Sequence, residues 1–223
     1  MTIGKENGIY HIAIDGPVAS GKGTIAKELG RRLGIGVLDT GAMYRGVGLY
    51  ILDKKIDITD VDSVKVAVEK LDMKVEITQD LTRIFIDGQD VTNRLRTSEV
   101  GQMASLVYPY ARDKMTELMR ALASGQSLIL DGRDIASHVL PRAKYKFYLT
   151  ACVRVRAQRR LAQLNDGQSL EDVILQIKIR DKRDKTRKLS PLKQVKDAVV
   201  IDNSNLTQDE TIARMLEAKR KIV

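Results

Sequence analysis

Apolar and polar positions alternate in blocks along this chain, and the blocks read as strands and helices in turn. Tyr10-His11-Ile12-Ala13-Ile14-Asp15 is a short apolar run of strand length. Ile25, Ala26, Leu29 and Leu33 then recur at helical spacing. Ile35 to Asp39 predicts a second buried strand, and Thr40 a helix through Leu52 with Thr40 or Asp39 as its cap. A helix is expected over Asp57–Leu71, from Val61, Val64, Val68 and Leu71. Met73–Ile77 and Arg83–Asp87 alternate instead, with a turn at Asp87-Gly88, and predict a small antiparallel insert. Two helices are expected next, Asn93–Val107 and Tyr110–Ser124, the second stopped by Gly125. Ser127–Asp131, Lys144–Leu149 and Ala198–Asp202 read as three more core strands, and a final helix runs from Gln208 to about Lys221.

Between Lys144 and Ala198 two further helices are expected. In Arg154–Asn165 the apolar Val155, Leu161 and Leu164 face inward, and Arg156, Arg159, Arg160 and Gln163 form the polar face. The next begins at Leu170, Val173, Ile174 and Ile177. Eleven residues on, its apolar stripe turns into Asp181 and Asp184, so this end of the helix leaves the core for a polar cleft. Alternating strands and helices imply a doubly wound α/β fold with a five-stranded parallel sheet. Four strands end in Asp15, Asp39, Asp131 and Asp202, on the side where such sheets bind ligands, and together with the P-loop that follows the first strand they predict one shared active cleft.

The chemistry starts at Gly16–Thr24, Gly-Pro-Val-Ala-Ser-Gly-Lys-Gly-Thr, between the first strand and the first helix. Strand, glycine-rich loop and helix together make a P-loop, in which Gly16 and Gly21 let backbone N–H groups converge on an anion. The helix N-terminus adds positive charge, and Lys22 reaches toward β- and γ-phosphates. Gly23 stands where most P-loops place a magnesium-binding Ser or Thr, with Thr24 one later, and no residue is assigned as a direct metal ligand.

Composition narrows the picture. The 223 residues are 43% hydrophobic, enough for one sizeable core. Aromatics are 4% with no Trp, which argues against a surface that stacks single-stranded bases. Cys152 is alone, so there is no disulfide framework and no cysteine zinc site. No apolar run approaches the ~18 residues of a membrane span, and Met1–Gly8 is polar without a signal-peptide core. A cytoplasmic protein is expected. Of the net charge of +9, most sits in Lys178–Lys196, with nine basic residues against two acidic. Such a segment suits nucleic acid or a lid over polyphosphates, and the P-loop favours the lid.

Arg45, Arg133, Arg180, Arg183 and Arg187 are candidate phosphate clamps. Alone, each reads equally as a solvated or salt-bridged arginine. Around one P-loop they supply what phosphoryl transfer needs, namely positioning and charge stabilisation. His11, inside a strand, and His138 read as structural.

Taken together, IDGPVASGKGT, LDTGAMYR, Arg96-Thr97-Ser98-Glu99, DGRDI, the run Arg180–Asp184 with Arg187, SPL at Ser190 and DAVVIDNS resemble the bacterial cytidylate kinases over nearly the whole chain. The resemblance implies a P-loop kinase fold with a monophosphate-binding insert (61–97), a core formed by 1–60 and 98–223, and a helical lid over about 163–189 that is mobile without nucleotide. It also implies a monomer that transfers the γ-phosphoryl group of ATP to CMP or dCMP with Mg²⁺, binding neither nucleic acid nor membrane. Carried over by position, Gly16, Pro17, Val18, Ala19, Ser20, Gly21, Lys22, Gly23 and Thr24 would cradle ATP, with Arg159 near it in the lid. Arg45, Arg133 and Arg187 would hold the CMP phosphate, and Ser105, Arg112 and Asp134 would read cytosine, with Thr40 lining the same pocket. Arg180 and Asp184 would reach the ribose. Lys22, Arg133, Arg183 and Arg187 would be catalytic. The sequence departs from that pattern twice. The Ser105–Arg112 spacing is two residues shorter, which makes Lys114 an alternative to Arg112, and Ala136-Ser137-His138 replaces Gly-Thr-Val beside the base pocket. The competing readings are a kinase of UMP or AMP, and a non-catalytic P-loop protein that binds RNA.

Overall fold

In the computed structural model, residues 8–79, 81–164 and 167–222 are described. The Leu164 side chain, Asn165 and most of the N-terminal stretch 1–8 lie outside them. Strands β1 (His11–Asp15), β2 (Gly36–Asp39), β6 (Leu128–Gly132), β7 (Tyr145–Thr150) and β8 (Val199–Asp202) form one parallel sheet in the order β2-β6-β1-β7-β8. Ile12, Ala13 and Ile14, like Leu128, Ile129 and Leu130, are fully buried, as expected of central strands covered on both faces. Helices α1 (Lys22–Leu33) and α7 (Gln208–Lys221) cover one face through Ile25, Leu29, Ile212 and Met215. On the other lie α2 (Thr40–Asp53) and α4 (Ser98–Ser124). Among the described residues no helix is long and apolar enough to cross a membrane.

The insert holds α3 (Val61–Lys70) and a three-stranded antiparallel sheet of β3 (Met73–Ile77), β4 (Thr82–Ile86) and β5 (Gln89–Asp90), followed by one 3₁₀ turn at Thr92–Arg94. It has no separate core. Val64, Val68, Met73, Ile84, Ile86 and Leu95 belong to the same apolar cluster as α2 and α4. Thr82 pins it to β2, accepting from Asp39 N at 2.9 Å and donating to Val37 O at 2.8 Å. Lys114 donates to the carbonyls of Val68, Glu69 and Leu71 at 2.7–2.9 Å, so its ammonium caps the C-terminal end of α3.

The sequence pattern divided 93–124 into two helices, and the structure has one. α4 runs unbroken for 27 residues with Pro109 inside it. A mid-helix proline removes a backbone bond and costs about 3 kcal/mol. Val100, Val107, Met115 and Met119 are buried on one face on both sides of it, at about 1.5–3 kcal/mol each. Packing along the full length outweighs the local break. The opening of this stretch is the 3₁₀ turn instead, and Thr97 caps α4 by accepting from Val100 N at 3.2 Å. α3 is shorter than expected because Asp60, not Asp57, is its cap.

α5 (Val153–Leu164) and α6 (Leu170–Thr186) form the helical hairpin expected of a lid, packed through Ala157, Val173 and Ile177. Arg156 corrects the sequence reading: it is 7% exposed rather than on a solvated face. Its stem crosses the hairpin so that its head reaches the loop after β1.

α2 and α4 approach closely because Gly48 has no side chain. A Cβ there would sit 2.7 Å from Ala104 N and 3.1 Å from Val100 O, both backbone atoms, whereas one at Gly101 would meet nothing within 4 Å. Both are helix-interior glycines with the same gain in propensity on going to alanine, about 1 kcal/mol. Gly101→Ala is therefore expected to raise the melting temperature. Gly48→Ala should lie about 1–3 kcal/mol below it through overpacking. Thermal melts of the two variants check this, and equal shifts would show that the α2–α4 contact has slack.

Candidate active site

Gly16 leaves β1 under the neighbouring strand, where a Cβ would lie 2.0 Å from Leu149 O. Only glycine fits. Gly21 has φ 89° and caps α1, and Ala19 takes φ 58° between them, a left-handed geometry that a non-glycine residue holds at a cost of about 1–3 kcal/mol. The loop so formed is braced from two sides. Asn203, just after β8, donates to Ser20 O at 3.1 Å and is itself gripped by Arg159, whose two terminal nitrogens lie 2.9 Å from Asn203 Oδ1 and O. Arg156 donates to Val18 O at 2.9 Å and pairs with Asp181 of α6 at 2.7 Å, while Val18 N donates to Asp181 at 3.2 Å. Asn203, Arg156 and this role of Asp181 were not read from sequence. The apolar-to-acid change along α6 was the visible trace of the last.

Lys22 is buried, with Nζ 2.8 Å from Pro17 O and 3.3 Å from Ser20 Oγ. Burial, and then the Arg133 charge, hold its ammonium well below the ordinary lysine range, against the pull of Asp131, Asp15 and Asp184.

The four strand-end aspartates part company. Asp15 accepts from Ile135 N and Ala136 N at 2.9 and 2.8 Å, fixing the π-helical turn Ile135–Val139. Burial pushes it up to about 6 despite those bonds. Asp39 caps α2 through Ala42 N at 2.8 Å and pairs with Arg45 at 3.0 Å. Asp131 lies beside it in register, raised by burial and by the Asp39 charge. Asp202 corrects the expectation of one shared cleft: it is exposed and turns back on Ser204, accepting from its N at 2.9 Å.

Arg133 donates to Asp184 at 2.8 Å, linking the end of β6 to α6. Burial pushes the Asp184 carboxyl up, but the Arg133 guanidinium together with Arg180 and Arg187 outweighs it and holds the group below its ordinary value. Arg180 is driven down to about 10 by burial and then by Arg133. Arg187 donates through Nε to Ser190 O at 2.7 Å, lies 3.9 Å over the Tyr108 ring, and has Nη2 3.7 Å from Asp134. Arg112 bonds Ser190 Oγ and lies 3.9 Å from Asp134. Thr40 Oγ1 donates to Asp131 O at 2.7 Å. Ser105 donates to Gly101 O at 3.2 Å, within its own helix, and Arg183 is exposed on α6. Lys114 is committed to α3, which leaves Arg112 beside Asp134. His138 holds Arg120 at 2.7 Å through its carbonyl, and its ring is shifted down by burial and then by the Arg112 charge. His11 Nε2 lies 2.8 Å from Ala123 O, inside the fold.

Several polar atoms here are buried with no partner: Arg45 Nε, Arg112 Nε, Arg180 Nε, Arg187 Nη2 and Asp131 Oδ1. Unpaired guanidinium N–H groups flanking a P-loop are donors awaiting anionic oxygens.

The family model for cytidylate kinase matches residues 12–221. The chain belongs to the cytidylate kinase family. It is 41% identical over 215 residues to the cytidylate kinase of Caldanaerobacter subterraneus subsp. tengcongensis, covering 94% of each chain. With that of Shouchella clausii it shares 40% over 213 residues, covering 93% of this chain and 95% of the other. An uncharacterized protein from Eubacterium ventriosum has a similar fold, with a TM-score of 0.53 at 12% identity over 95% of this chain and 98% of that one.

Ionising the buried acids costs the ligand-free protein stability. An aspartate whose folded pKa exceeds its unfolded value of 3.8 contributes stability fully present below that value and lost as pH rises through the folded pKa. For Asp15 the window runs from about 4 to about 6. Asp131 has one oxygen without a partner and tolerates an isosteric amide, so Asp131→Asn should gain melting temperature relative to the unsubstituted protein as pH rises from about 4 to about 7. Calorimetry in the absence of nucleotide measures the gap, and a gap independent of pH would mean that Asp131 titrates as in a free peptide.

Proposed function

We propose that the chain transfers the γ-phosphoryl group of ATP to CMP or dCMP, giving ADP and CDP or dCDP. One observation carries this beyond family membership: unpaired buried donors on Arg45, Arg112, Arg180 and Arg187 surround a P-loop whose lysine is itself buried. Two phosphate-bearing substrates supply the acceptors that these groups lack. In this reading Gly16–Thr24 cradles the ATP phosphates, and Arg159 holds the wall of that site through Asn203. Arg45, Arg133 and Arg187 take the CMP phosphate. Arg180 and Asp184 lie toward the ribose, with Thr40 at the pocket edge.

Lys22, Arg133, Arg183 and Arg187 carry the transfer step. The acceptor oxygen of CMP attacks the γ-phosphorus as the bond to the β-phosphate oxygen breaks. The positive side chains offset charge that spreads over both phosphates as the group moves. Arg183, exposed on α6, joins when the lid closes over ATP. The donor set also fits a magnesium ion held through water and phosphate, which needs only one or two carboxylates. Asp131 has a free oxygen beside Asp39, and Gly23 offers no hydroxyl. The ion would neutralise phosphate charge. We place the reaction in the cytoplasm, carried out by a monomer.

Cytosine is selected by donor and acceptor pattern. It offers an amino donor at N4 with acceptors at N3 and O2, and uracil reverses the first two. An ionised Asp134 accepts from the amino group and faces an acceptor in uracil, while Arg112 donates to N3 or O2. A site that leaves a buried polar group unpaired rejects the analogue strongly. A coupled ADP-release assay across CMP, dCMP, UMP, AMP and GMP tests the reading. A protein that prefers AMP or UMP, or none of these, would overturn it.

Lys22→Ala is expected to abolish nearly all turnover while the fold persists, with kcat falling more than KM rises, because its charge acts mainly in the transition state. Near-normal turnover in a folded variant would remove the lysine from the mechanism.

CMP is expected to exceed UMP in kcat/KM by on the order of 10²-fold, from about 1–3 kcal/mol per unsatisfied group. Asp134→Ala should shrink the ratio by losing CMP activity, and Asp134→Asn further by gaining UMP. A ratio within about threefold of the unsubstituted enzyme, ~0.7 kcal/mol, would show that Asp134 does not read the base.

A further inference from the structure

Two hydroxyls lie on the flank of α4 near Asp134, and only one of them reaches it. Ser105, Tyr108 and Arg112 are related by three and four residues and share one flank of α4. The Ser105 hydroxyl is turned back onto Gly101 O at 3.2 Å. The Tyr108 hydroxyl lies instead 3.3 Å from Asp134 Oδ2. Its ring faces Arg187 on one side, 3.9 Å from the guanidinium carbon, and is tilted against the Tyr44 ring with centroids 4.7 Å apart.

We propose that Tyr108 is a positioning residue for substrate selection: its hydroxyl fixes the carboxylate of Asp134, and its ring fixes the plane of Arg187. The inference rests on the reading that Asp134 recognises the base and Arg187 the phosphate.

The two halves follow from different contacts. Asp134 has two carboxylate oxygens. Oδ2 takes the tyrosine hydroxyl and lies 3.9 Å from Arg112, and Oδ1 lies 3.7 Å from Arg187. A carboxylate anchored at one oxygen keeps a fixed direction for the base amino group at the other. Tyr108 stays protonated and donating, because burial and then the Asp134 charge raise its hydroxyl to about 12. Arg187 is held through Nε by Ser190 O and over its face by the ring, and its buried Nη2, 3.7 Å from Asp134 Oδ1, makes no hydrogen bond and has donor capacity for phosphate. One side chain thereby couples the base end of the pocket to its phosphate end.

The test compares Tyr108→Phe and Tyr108→Leu by steady-state kinetics on CMP and UMP at saturating ATP, with thermal melts. Tyr108→Phe keeps the ring and loses the hydroxyl. It is expected to raise KM for CMP about 10- to 20-fold and cut the CMP/UMP preference by a similar factor, the low end for one lost hydrogen bond to a charged group, with kcat within about twofold and KM for ATP unchanged. Tyr108→Leu loses both contacts, and kcat should fall a further tenfold or so as Arg187 loses its plane. Tyr108→Phe indistinguishable from the unsubstituted enzyme would overturn the proposal. Equal kcat in Tyr108→Leu and Tyr108→Phe would overturn its ring half. A general loss of stability would lower both substrates' turnover together and leave the CMP/UMP ratio in place, which also overturns it. If the unsubstituted protein fails on CMP altogether, the functional reading fails and takes this one with it. If it works on CMP and only Tyr108→Phe is silent, the functional reading survives.

Discussion

Concentrated buried positive charge is the constraint on which the rest of this structure depends. Lys22, Arg45, Arg112, Arg133, Arg156, Arg180 and Arg187 crowd the carboxyl ends of a parallel sheet, several of them buried. Desolvation alone would expel or neutralise such groups. The fold answers with acids set among them: Asp39 on Arg45, Asp184 on Arg133, Asp181 on Arg156, and Asp134 shared between Arg112 and Arg187. The compensation is partial, since several guanidinium N–H groups keep no partner. An incompletely neutralised cluster has a built-in affinity for phosphate, so the same shortfall that costs stability supplies binding.

These pairs also tie separate elements together. Asp181 and Asp184 are on α6, and their partners lie on α5 and at the end of β6. The lid hairpin has only a small apolar cluster of its own, Ala157, Val173 and Ile177. Charged contacts to the P-loop and to Arg133 therefore account for much of what seats it.

The monophosphate side is built differently. There α2 and α4 pack along their full length and share one core with the insert. α2 carries Thr40, Tyr44 and Arg45, and α4 carries Tyr108 and Arg112. This helix pair holds Thr40, Tyr44, Arg45, Tyr108 and Arg112 in one packed unit. The close approach at Gly48 and the uninterrupted run through Pro109 serve the same end, because either a wider gap or a break in α4 would displace Tyr108 and Arg112 relative to Asp134.

The succession of strands and helices along the chain, the P-loop and the conversion of the α6 stripe from apolar to acidic were legible in the sequence, because each rests on local periodicity or on residues adjacent in the chain. The family, too, follows from motifs that are short and contiguous. The tertiary structure decided what depends on which surfaces meet. It made one helix of two by burying both sides of Pro109, took Arg156 out of solvent because a loop and an acid lay within its reach, and set Asp202 apart from Asp131 although both end strands. It directed Lys114 to the end of α3 and left Arg112 beside Asp134. It also turned Ser105 inward on its own helix and brought Tyr108 to Asp134. Hydrogen-bonding partners more than a hundred residues apart, such as Asn203 and Ser20, leave no periodic trace in a single chain. Their pairing is fixed only when the sheet brings its strand ends to one edge.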